Sequence, residues 1–153
     1  MANIMKKILL FLFIVAPFFA MADGRVYNKS GELVYEYDGV YLTKLYKDGS
    51  KKVTLAYRNG NVYKDGVIEK SNVIMTFNGI QIFYPNNPKA IVSFDGKYVY
   101  WTPEPSDDPK KIAGCMVNNC YYRSTEPDDE KLAFKVEGDI PIVLLLFSNM
   151  NKQ

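Results

Sequence analysis

The sequence predicts a mainly β protein, in which an antiparallel meander of repeated hairpins closes into a small barrel with a hydrophobic C-terminal helix packed in its centre. Three observations predict this fold: seven glycine-containing turn dipeptides between residues 30 and 96, short β-forming runs between them, and one apolar run near the C-terminus. The 153 residues suffice for one domain. A composition of 48% hydrophobic and 24% charged residues is typical of a globular chain.

The first segment, Met1–Ala22, is interpreted as a secretory signal peptide. Two lysines precede an uncharged run over residues 8–19, and alanines stand at the two positions that a signal peptidase reads, so we expect cleavage before Asp23. The alternative is an uncleaved membrane anchor, but the run is shorter than the ~20 residues that cross a bilayer. We therefore expect residues 23–153 to be exported by a bacterium, as a periplasmic or secreted protein without a stable membrane span.

Residues 23–101 are predicted to form repeated hairpins. Asn-Gly and Asp-Gly are strong hairpin signals because a tight turn needs positive φ at both central residues. The seven dipeptides are Ser30-Gly31, Asp38-Gly39, Asp48-Gly49, Asn59-Gly60, Asp65-Gly66, Asn78-Gly79 and Asp95-Gly96. The strand-like runs between them are Leu33–Tyr37, Val53–Tyr57, Val73–Phe77, Ile80–Tyr84 and Ala90–Phe94.

The hairpins share one internal pattern. An apolar residue followed by tyrosine begins each unit, and a turn, a strand, an aromatic residue and a glycine turn follow. The four units begin at Val26, Leu45, Val62 and Phe83. A sheet of similar hairpins must protect its edges, and closure into a barrel does so most completely.

Residues 102–131 are interpreted as a loop-rich insert that contains a cysteine pair. Three prolines and five charges in Thr102–Lys111, and the acidic stretch Ser124–Lys131, are typical of loops. Cys115 and Cys120 are expected to form a disulfide, because an isolated pair in an exported protein is most simply oxidised. A metal site would need further Cys or His ligands, and a redox pair usually has C-x-x-C spacing, so both alternatives are disfavoured.

Residues 132–153 are predicted to hold the last strand, Leu132–Val136, and a hydrophobic helix over Ile140–Phe147. Asp139 suits a helix N-cap, and Pro141 is tolerated in a first turn. The helix would be apolar on every side, and such a helix must be buried on every side. A buried central strand is the alternative, favoured by the β-branched pair at 142–143.

The meander followed by an Asp-initiated apolar helix resembles the tubby C-terminal-like fold, which includes the phospholipid-scramblase and LURP-one-like families. The matching stretch is Phe134–Asp139 followed by Ile140–Phe147. The resemblance implies a closed antiparallel barrel threaded by this helix. The repeat over residues 26–96 is also similar to the bacterial small barrels described as four-fold β-flowers. The sequence has no identifiable counterpart of the family's basic headgroup pocket, so phosphoinositide binding is not carried over.

Composition excludes several classes of function. The chain has no histidine, which excludes His-based triads, His general bases and most zinc sites, and no cofactor or metal is expected. Without Lys6 and Lys7 the chain has 17 basic and 17 acidic residues, so no nucleic-acid partner is expected. The acids Asp107, Asp108, Asp128, Asp129 and Glu130 lie in polar loops, where a solvated surface is expected in place of catalysis.

The candidate ligand-binding residues are Tyr98, Tyr100 and Trp101. In a strand Tyr98 and Tyr100 share one face, and Val99 and Trp101 share the other. The basic group Lys47, Lys51 and Lys52 near a turn is interpreted as a solvated hairpin end. The sequence therefore predicts a non-enzymatic exported module that binds an apolar or envelope ligand, lipid-like, or a protein partner. The alternative is a small secreted hydrolase that uses carboxylates.

Overall fold

The structure is a computed structural model that describes residues 23–150, with side chains described as far as Ser148. The predicted signal peptide, Met1–Ala22, lies outside the described residues, as do residues 151–153 at the C-terminus. Within residues 23–150, no helix is long and apolar enough to cross a membrane.

The described chain contains twelve strands, three short 3-10 helices and one α-helix. The first six strands are β1 (Gly24–Asn28), β2 (Leu33–Tyr37), β3 (Tyr41–Leu45), β4 (Lys51–Arg58), β5 (Asn61–Lys64) and β6 (Val73–Phe77). The others are β7 (Gln81–Phe83), β8 (Ala90–Phe94), β9 (Tyr98–Tyr100), β10 (Ile112–Val117), β11 (Cys120–Tyr122) and β12 (Leu132–Gly138). The 3-10 helices are Lys70–Asn72, Pro109–Lys111 and Asp129–Lys131, and the α-helix, α1, is Ile142–Met150.

The strands form a closed antiparallel barrel in which each strand pairs with its neighbours in sequence. The barrel closes where β12 pairs with β1, from Gly24 opposite Gly138 to Asn28 opposite Phe134. Closure leaves no unpaired strand edge. The predicted mainly β fold and its closed barrel are confirmed.

The barrel has two different ends. At the end that we call the tight-turn end, the five connections are residues 38–40, 59–60, 78–80, 95–97 and 118–119, and the seam between β12 and β1 lies beside them. At the opposite end, the loop end, the six connections are residues 29–32, 46–50, 65–72, 84–89, 101–111 and 123–131. The tight turns thus have two or three residues and the loops four to eleven.

β-Bulges are confined to one of these ends. The register shifts in all six strand pairs joined by a loop-end connection. Among the described strand pairs, the six that meet at the tight-turn end keep an uninterrupted register. A bulge adds one residue to one strand and re-aims the side chains beyond it.

Strand side chains and α1 share one hydrophobic core. The core includes buried residues of eleven strands, such as Val26, Leu42 and Phe134, and partly buried residues of β10. Val143, Leu144 and Leu145 of α1 belong to the same cluster and are at most 1% exposed. The C-terminal apolar run is therefore a buried helix.

The helix begins later than the sequence predicts. Its first residue is Ile142, so Asp139 lies three positions before the helix and does not occupy the N-cap position. The backbone N–H of Asp139 instead donates to the carbonyl oxygen of Asp23 at 3.1 Å. Gly138, at φ +80°, turns the chain away from β12 just before this bond. This hydrogen bond links the segment between β12 and α1 to the residue before β1, at the barrel seam.

The predicted loop-rich insert contains a hairpin. β10 and β11 lie within residues 102–131 and join at Asn118-Asn119. Both asparagines have positive φ, 49° and 61°. Asparagine tolerates this region better than most residues, so the turn forms without glycine.

Candidate functional site

A cleft of about 480 Å³ opens at the loop end, between β2–β6 and the C-terminal part of α1. This is within the range of 300–1,000 Å³ that is typical of small-molecule sites. Its lining combines three lysines, Lys44, Lys52 and Lys64, with three apolar side chains, Leu55, Ile74 and Phe147. Hydroxyl groups of tyrosine, threonine and serine and one carboxylate, Asp65, complete it.

Strand pairing explains why the three lysines meet. Lys44 of β3 is directly opposite Lys52 of β4, and it also pairs with the buried Tyr35 of β2. Lys64 of β5 is opposite the buried Leu55 of β4. Directly opposite residues of an antiparallel pair have their side chains on the same face. The lysines therefore share a face with core residues and lie where that face reaches the loop end.

The lysines of the cleft lack ionic partners in the part of the chain that the structure describes. None of them forms a salt bridge there, whereas Lys51, outside the cleft, binds Glu36 with Nζ and Oε2 at 3.1 Å. Lys44 Nζ lies 5.0 Å from the ring centroid of Tyr46, which gives it a cation–π contact. Asp65 is the single acid of the lining.

The inner wall of the cleft is apolar with a few hydroxyl groups. Tyr35 is 6% exposed, and burial raises the pKa of its phenol, so it stays protonated at neutral pH. Two other hydroxyls are already used as donors: Thr54 Oγ1 donates to Leu42 O and Ser148 Oγ to Leu145 O, both at 3.0 Å. The cleft can therefore pair an anion at its rim with an apolar group deeper inside.

The sequence-predicted aromatic residues lie outside this cleft. Tyr98 and Tyr100 are in edge contact, with ring centroids 6.2 Å apart, and thus share a face as expected. Tyr100 is 5% exposed, and its hydroxyl donates to Asp95 Oδ2 at 2.6 Å. Trp101 is 57% exposed at the loop end. Of this group, Trp101 offers the most ring surface to a ligand.

The basic residues noted in the sequence overlap the cleft at one position. Lys52 lines the cleft, whereas Lys47 and Lys51 do not. Lys51 forms a salt bridge with Glu36 outside the cleft. Lys44 and Lys64 were missed because each is isolated in the sequence. Their period-two spacing from Leu42 and Val62, which are buried, was the available signal.

Two of the five acidic loop residues, Asp108 and Asp128, have structural partners. Asp108 Oδ1 accepts the backbone N–H of Lys110 at 3.0 Å, and Asp128 Oδ1 accepts that of Glu130 at 2.9 Å. Each thereby caps a 3-10 helix. Asp107, Asp129 and Glu130 are exposed. Among residues 23–150, no group of three or more His, Cys, Asp or Glu side chains could hold a metal ion.

The predicted disulfide is wrong: Cys115 and Cys120 are both free thiols. Cys115 pairs with Tyr122, and Cys120 pairs with Val117, so the two cysteines are diagonal neighbours on β10 and β11. Diagonal residues lie about 7–8 Å apart, beyond the usual Cα separation of about 4.4–6.8 Å across a disulfide. Burial raises the pKa of the Cys115 thiol, which keeps it protonated and unreactive.

No protein-family model, curated protein or solved structure matches the chain.

Proposed function

We propose that the chain is an exported, non-enzymatic module that binds a ligand in the loop-end cleft. The observation that carries this proposal is the cleft itself, about 480 Å³ with three lysines above an apolar wall. Concave, partly apolar sites with a few convergent polar groups are where small ligands bind. A lipid-like envelope molecule fits this lining better than a protein partner, which would favour a broad, flat surface.

The composition of the lining favours binding over catalysis. A carboxylate mechanism needs two facing acids about 5–10 Å apart, and Asp65 is the single acid of this cleft. The loop acids Asp108 and Asp128 are engaged as caps. Ser148 and Thr54 have no histidine base in the sequence to activate them.

The proposal includes a central position for α1 within the barrel. Successive helical residues point about 100° apart, so Ile142, Val143, Leu144 and Leu145 together face all directions. All four are buried, at most 7% exposed. A helix on the outer surface would leave one side in water. Twelve strands also enclose more space than the eight whose own side chains fill a barrel.

The same features support a tubby-like or β-flower architecture as a proposal. The closed antiparallel meander and the buried apolar helix after β12 are the two features that the resemblance implies. Their order in the chain also agrees, because the helix directly follows the last strand.

Binding is tested with the neutral apolar dye N-phenyl-1-naphthylamine, whose fluorescence rises in apolar surroundings. We expect saturable binding by protein purified after expression of the full chain in a bacterium. Ile74→Trp fills the cleft and should weaken binding at least about tenfold. Ile80→Trp is the matched control, because Ile80 is 55% exposed at the tight-turn end. Equal binding by the two variants, with both folded by circular dichroism, would reject the cleft as the site.

Export is tested separately by fractionation and intact mass. The full chain should be recovered from the periplasm or medium with a mass that lacks residues 1–22. Recovery of the uncleaved chain from the cytoplasm or the membrane would contradict export but would leave the dye result unaffected.

A further inference from the structure

We infer that the ligand is an amphipathic anion whose carboxylate or phosphate head is held by Lys44, Lys52 and Lys64 and whose apolar part packs against Ile74 and Phe147. The inference deepens the proposed function and rests on it. It assigns the ligand's charge and the division of the cleft into a polar rim and an apolar wall.

The pairing of Lys44 with Lys52 is the first observation. Like charges directly opposite each other on one sheet face are destabilising. Here two ammonium groups occupy one such pair, and no described acid forms an ion pair with either. Nearby, Lys51 is compensated by Glu36 across the sheet. An anion bound between Lys44 and Lys52 would relieve the repulsion that the fold leaves in place.

The charge balance of the whole cleft also favours an anionic ligand. Lysines near a helix C-terminus are stabilised by the helix dipole, which supplies about half a negative charge. Phe147 and Ser148 bring that end of α1 to the cleft. The dipole and Asp65 together offset about half of the charge of three lysines, which leaves the cleft at about +1.5. A ligand carrying one or two negative charges neutralises this remainder.

The apolar wall of the cleft requires that the ligand has an apolar part as well as a charge. Leu55 is 4% exposed, and Ile74 and Phe147 are partly buried, so apolar surface continues from the core into the cleft. Inorganic phosphate would leave this surface in contact with water. An acyl chain would cover it, at about 25 cal/mol for each Å² removed from water.

The donors of the rim suit an oxyanion. Each ammonium offers three N–H donors, and its flexible stem lets it follow the head of the ligand. The Tyr35 hydroxyl, which lines the cleft together with Ser148, adds a neutral polar group. Hydrogen bonds from ammonium to carboxylate or phosphate are roughly twice as strong as neutral ones. The head group therefore belongs at the lysines and the chain at Phe147.

Two sources of this chemistry are distinguished by titration calorimetry at pH 8. Dodecanoate and dodecyl phosphate, below their micelle concentrations, represent a free amphiphile, and phosphatidylglycerol vesicles represent a membrane head group. Dodecanol and inorganic phosphate are the matched probes that lack the charge or the chain. We expect both dodecyl anions to bind at least about tenfold more tightly than either matched probe. Binding to the vesicles alone, lost in the variant below, would support the same chemistry with the head group as its source.

The charge-removing variant is Lys44→Met/Lys52→Met, which replaces each lysine with an unbranched, uncharged side chain of similar shape. It should weaken dodecanoate binding at least about tenfold and leave binding of the neutral dye unchanged. Lys47→Met, outside the cleft, is the control and should change neither. Dodecanol binding as tightly as dodecanoate, or dodecanoate binding unaltered in the variant, would overturn the inference. Loss of dye binding by the parent protein would instead overturn the proposed function.

Discussion

The two ends of the barrel join their antiparallel strands through different kinds of connection. The tight-turn end uses connections of two or three residues and an uninterrupted register, whereas the loop end uses connections of four to eleven residues and a bulge in every strand pair. The cleft lies at the loop end. The candidate site therefore lies at the end with long connections, although two of its pairings, Lys44 with Tyr35 and Lys64 with Leu55, belong to strand pairs of uninterrupted register.

The tight-turn end is stabilised by a repeated side-chain device. Asp38, Asn78 and Asp95 each precede a glycine, and in each case Oδ1 accepts the backbone N–H groups two and three residues later. The acceptor distances are 2.7–3.0 Å. These Asx turns satisfy donors that the short connection would otherwise leave unpaired.

At the loop end, bulges bring additional side chains next to the cleft. The shift between Leu42 and Thr43 against β4 precedes the pairing of Lys44 with Lys52. A similar shift between Val62 and Tyr63 precedes the end of β5 at Lys64. The extra residue of each bulge lies on the partner strand, Thr54 in β4 and Ile74 in β6, and both residues line the cleft. The extra residues make room for polar groups at the end of an apolar core.

The largest expected effect comes from the core that both ends share. Leu144→Asp places an unpaired charge where the side chain is fully buried, and we expect the protein not to fold. Ile80→Asp makes the same change at a site that is 55% exposed and should cost under about 1 kcal/mol. Circular dichroism and urea unfolding measure both variants. A folded Leu144→Asp protein with parental stability would contradict a shared core.

The next effect compares insertions at the two ends. Gly-Ser-Gly inserted between Asn59 and Gly60 disrupts a two-residue turn and the bond from Phe77 N–H to Gly60 O, 2.7 Å long. We expect a loss of roughly 2–3 kcal/mol. The same insertion between Pro105 and Ser106 extends an eleven-residue loop, keeps the hydrogen bond from Asp108 N–H to Ser106 Oγ and should cost only a few tenths of a kcal/mol. Urea denaturation curves of the two proteins should separate clearly; similar midpoints would remove the contrast between the ends.

Part of this contrast is predictable from the sequence. The dipeptides Asp38-Gly39, Asn59-Gly60, Asn78-Gly79 and Asp95-Gly96 predict tight turns because their local geometry is encoded in two residues. All four lie at the tight-turn end, but of these only Asn59-Gly60 has positive φ at both residues. Asp48-Gly49 and Asp65-Gly66 carry the same signal and lie in loop-end connections. The Asn118-Asn119 turn was missed because it has no glycine.

The candidate site could not be predicted in the same way. Its lysines belong to three strands, and the position of Lys52 also depends on a bulge, in which Thr54 is the extra residue of β4 and which carries no sequence signal of its own. The aromatic group at Tyr98 was recognised because it is contiguous in sequence. The cleft lysines, by contrast, are brought together by pairing across the sheet.

A smaller effect compares two glycines with similar backbone angles. Gly60 at the tight-turn end has φ +80°, and Gly49 at the loop end has φ +84°. An alanine Cβ at residue 60 would lie 2.8 Å from the carbonyl oxygen of Phe77, whereas one at residue 49 meets no atom within 4 Å. Gly49→Ala should cost about 1 kcal/mol for its left-handed conformation alone, and Gly60→Ala about 2 kcal/mol. Equal losses in thermal or urea unfolding would show that the close approach at Gly60 relaxes freely.

The smallest effect concerns acid. Burial raises the pKa of Asp95, but hydrogen bonds from the Tyr100 hydroxyl and from the N–H groups of Tyr98 and Lys97 outweigh it, so the pKa is lowered overall. A carboxylate with a lowered folded-state pKa stabilises the protein above its unfolded pKa of about 3.9, and this contribution is lost as the pH falls through the folded pKa. Because Asp95 is exposed, the contribution should stay below about 1 kcal/mol.

Asp48 provides the matched comparison at the loop end. The Ser50 hydroxyl and backbone N–H lower the pKa of Asp48, with donor distances to Oδ1 of 2.6 and 2.9 Å. Within the described part of the chain, Asp48 has no buried donor comparable to Tyr100, which is 5% exposed. Urea unfolding between pH 7 and pH 2.5 should therefore show a shallower acid loss of stability in Asp95→Asn than in Asp48→Asn. Tyr100→Phe removes one donor to Asp95, so the folded-state pKa of Asp95 should rise toward its unfolded value and the acid loss of stability should be smaller than in the parent, as in Asp95→Asn. If the parent, Asp95→Asn and Tyr100→Phe lost the same free energy of unfolding as the pH falls, ionisation of Asp95 would not contribute to stability.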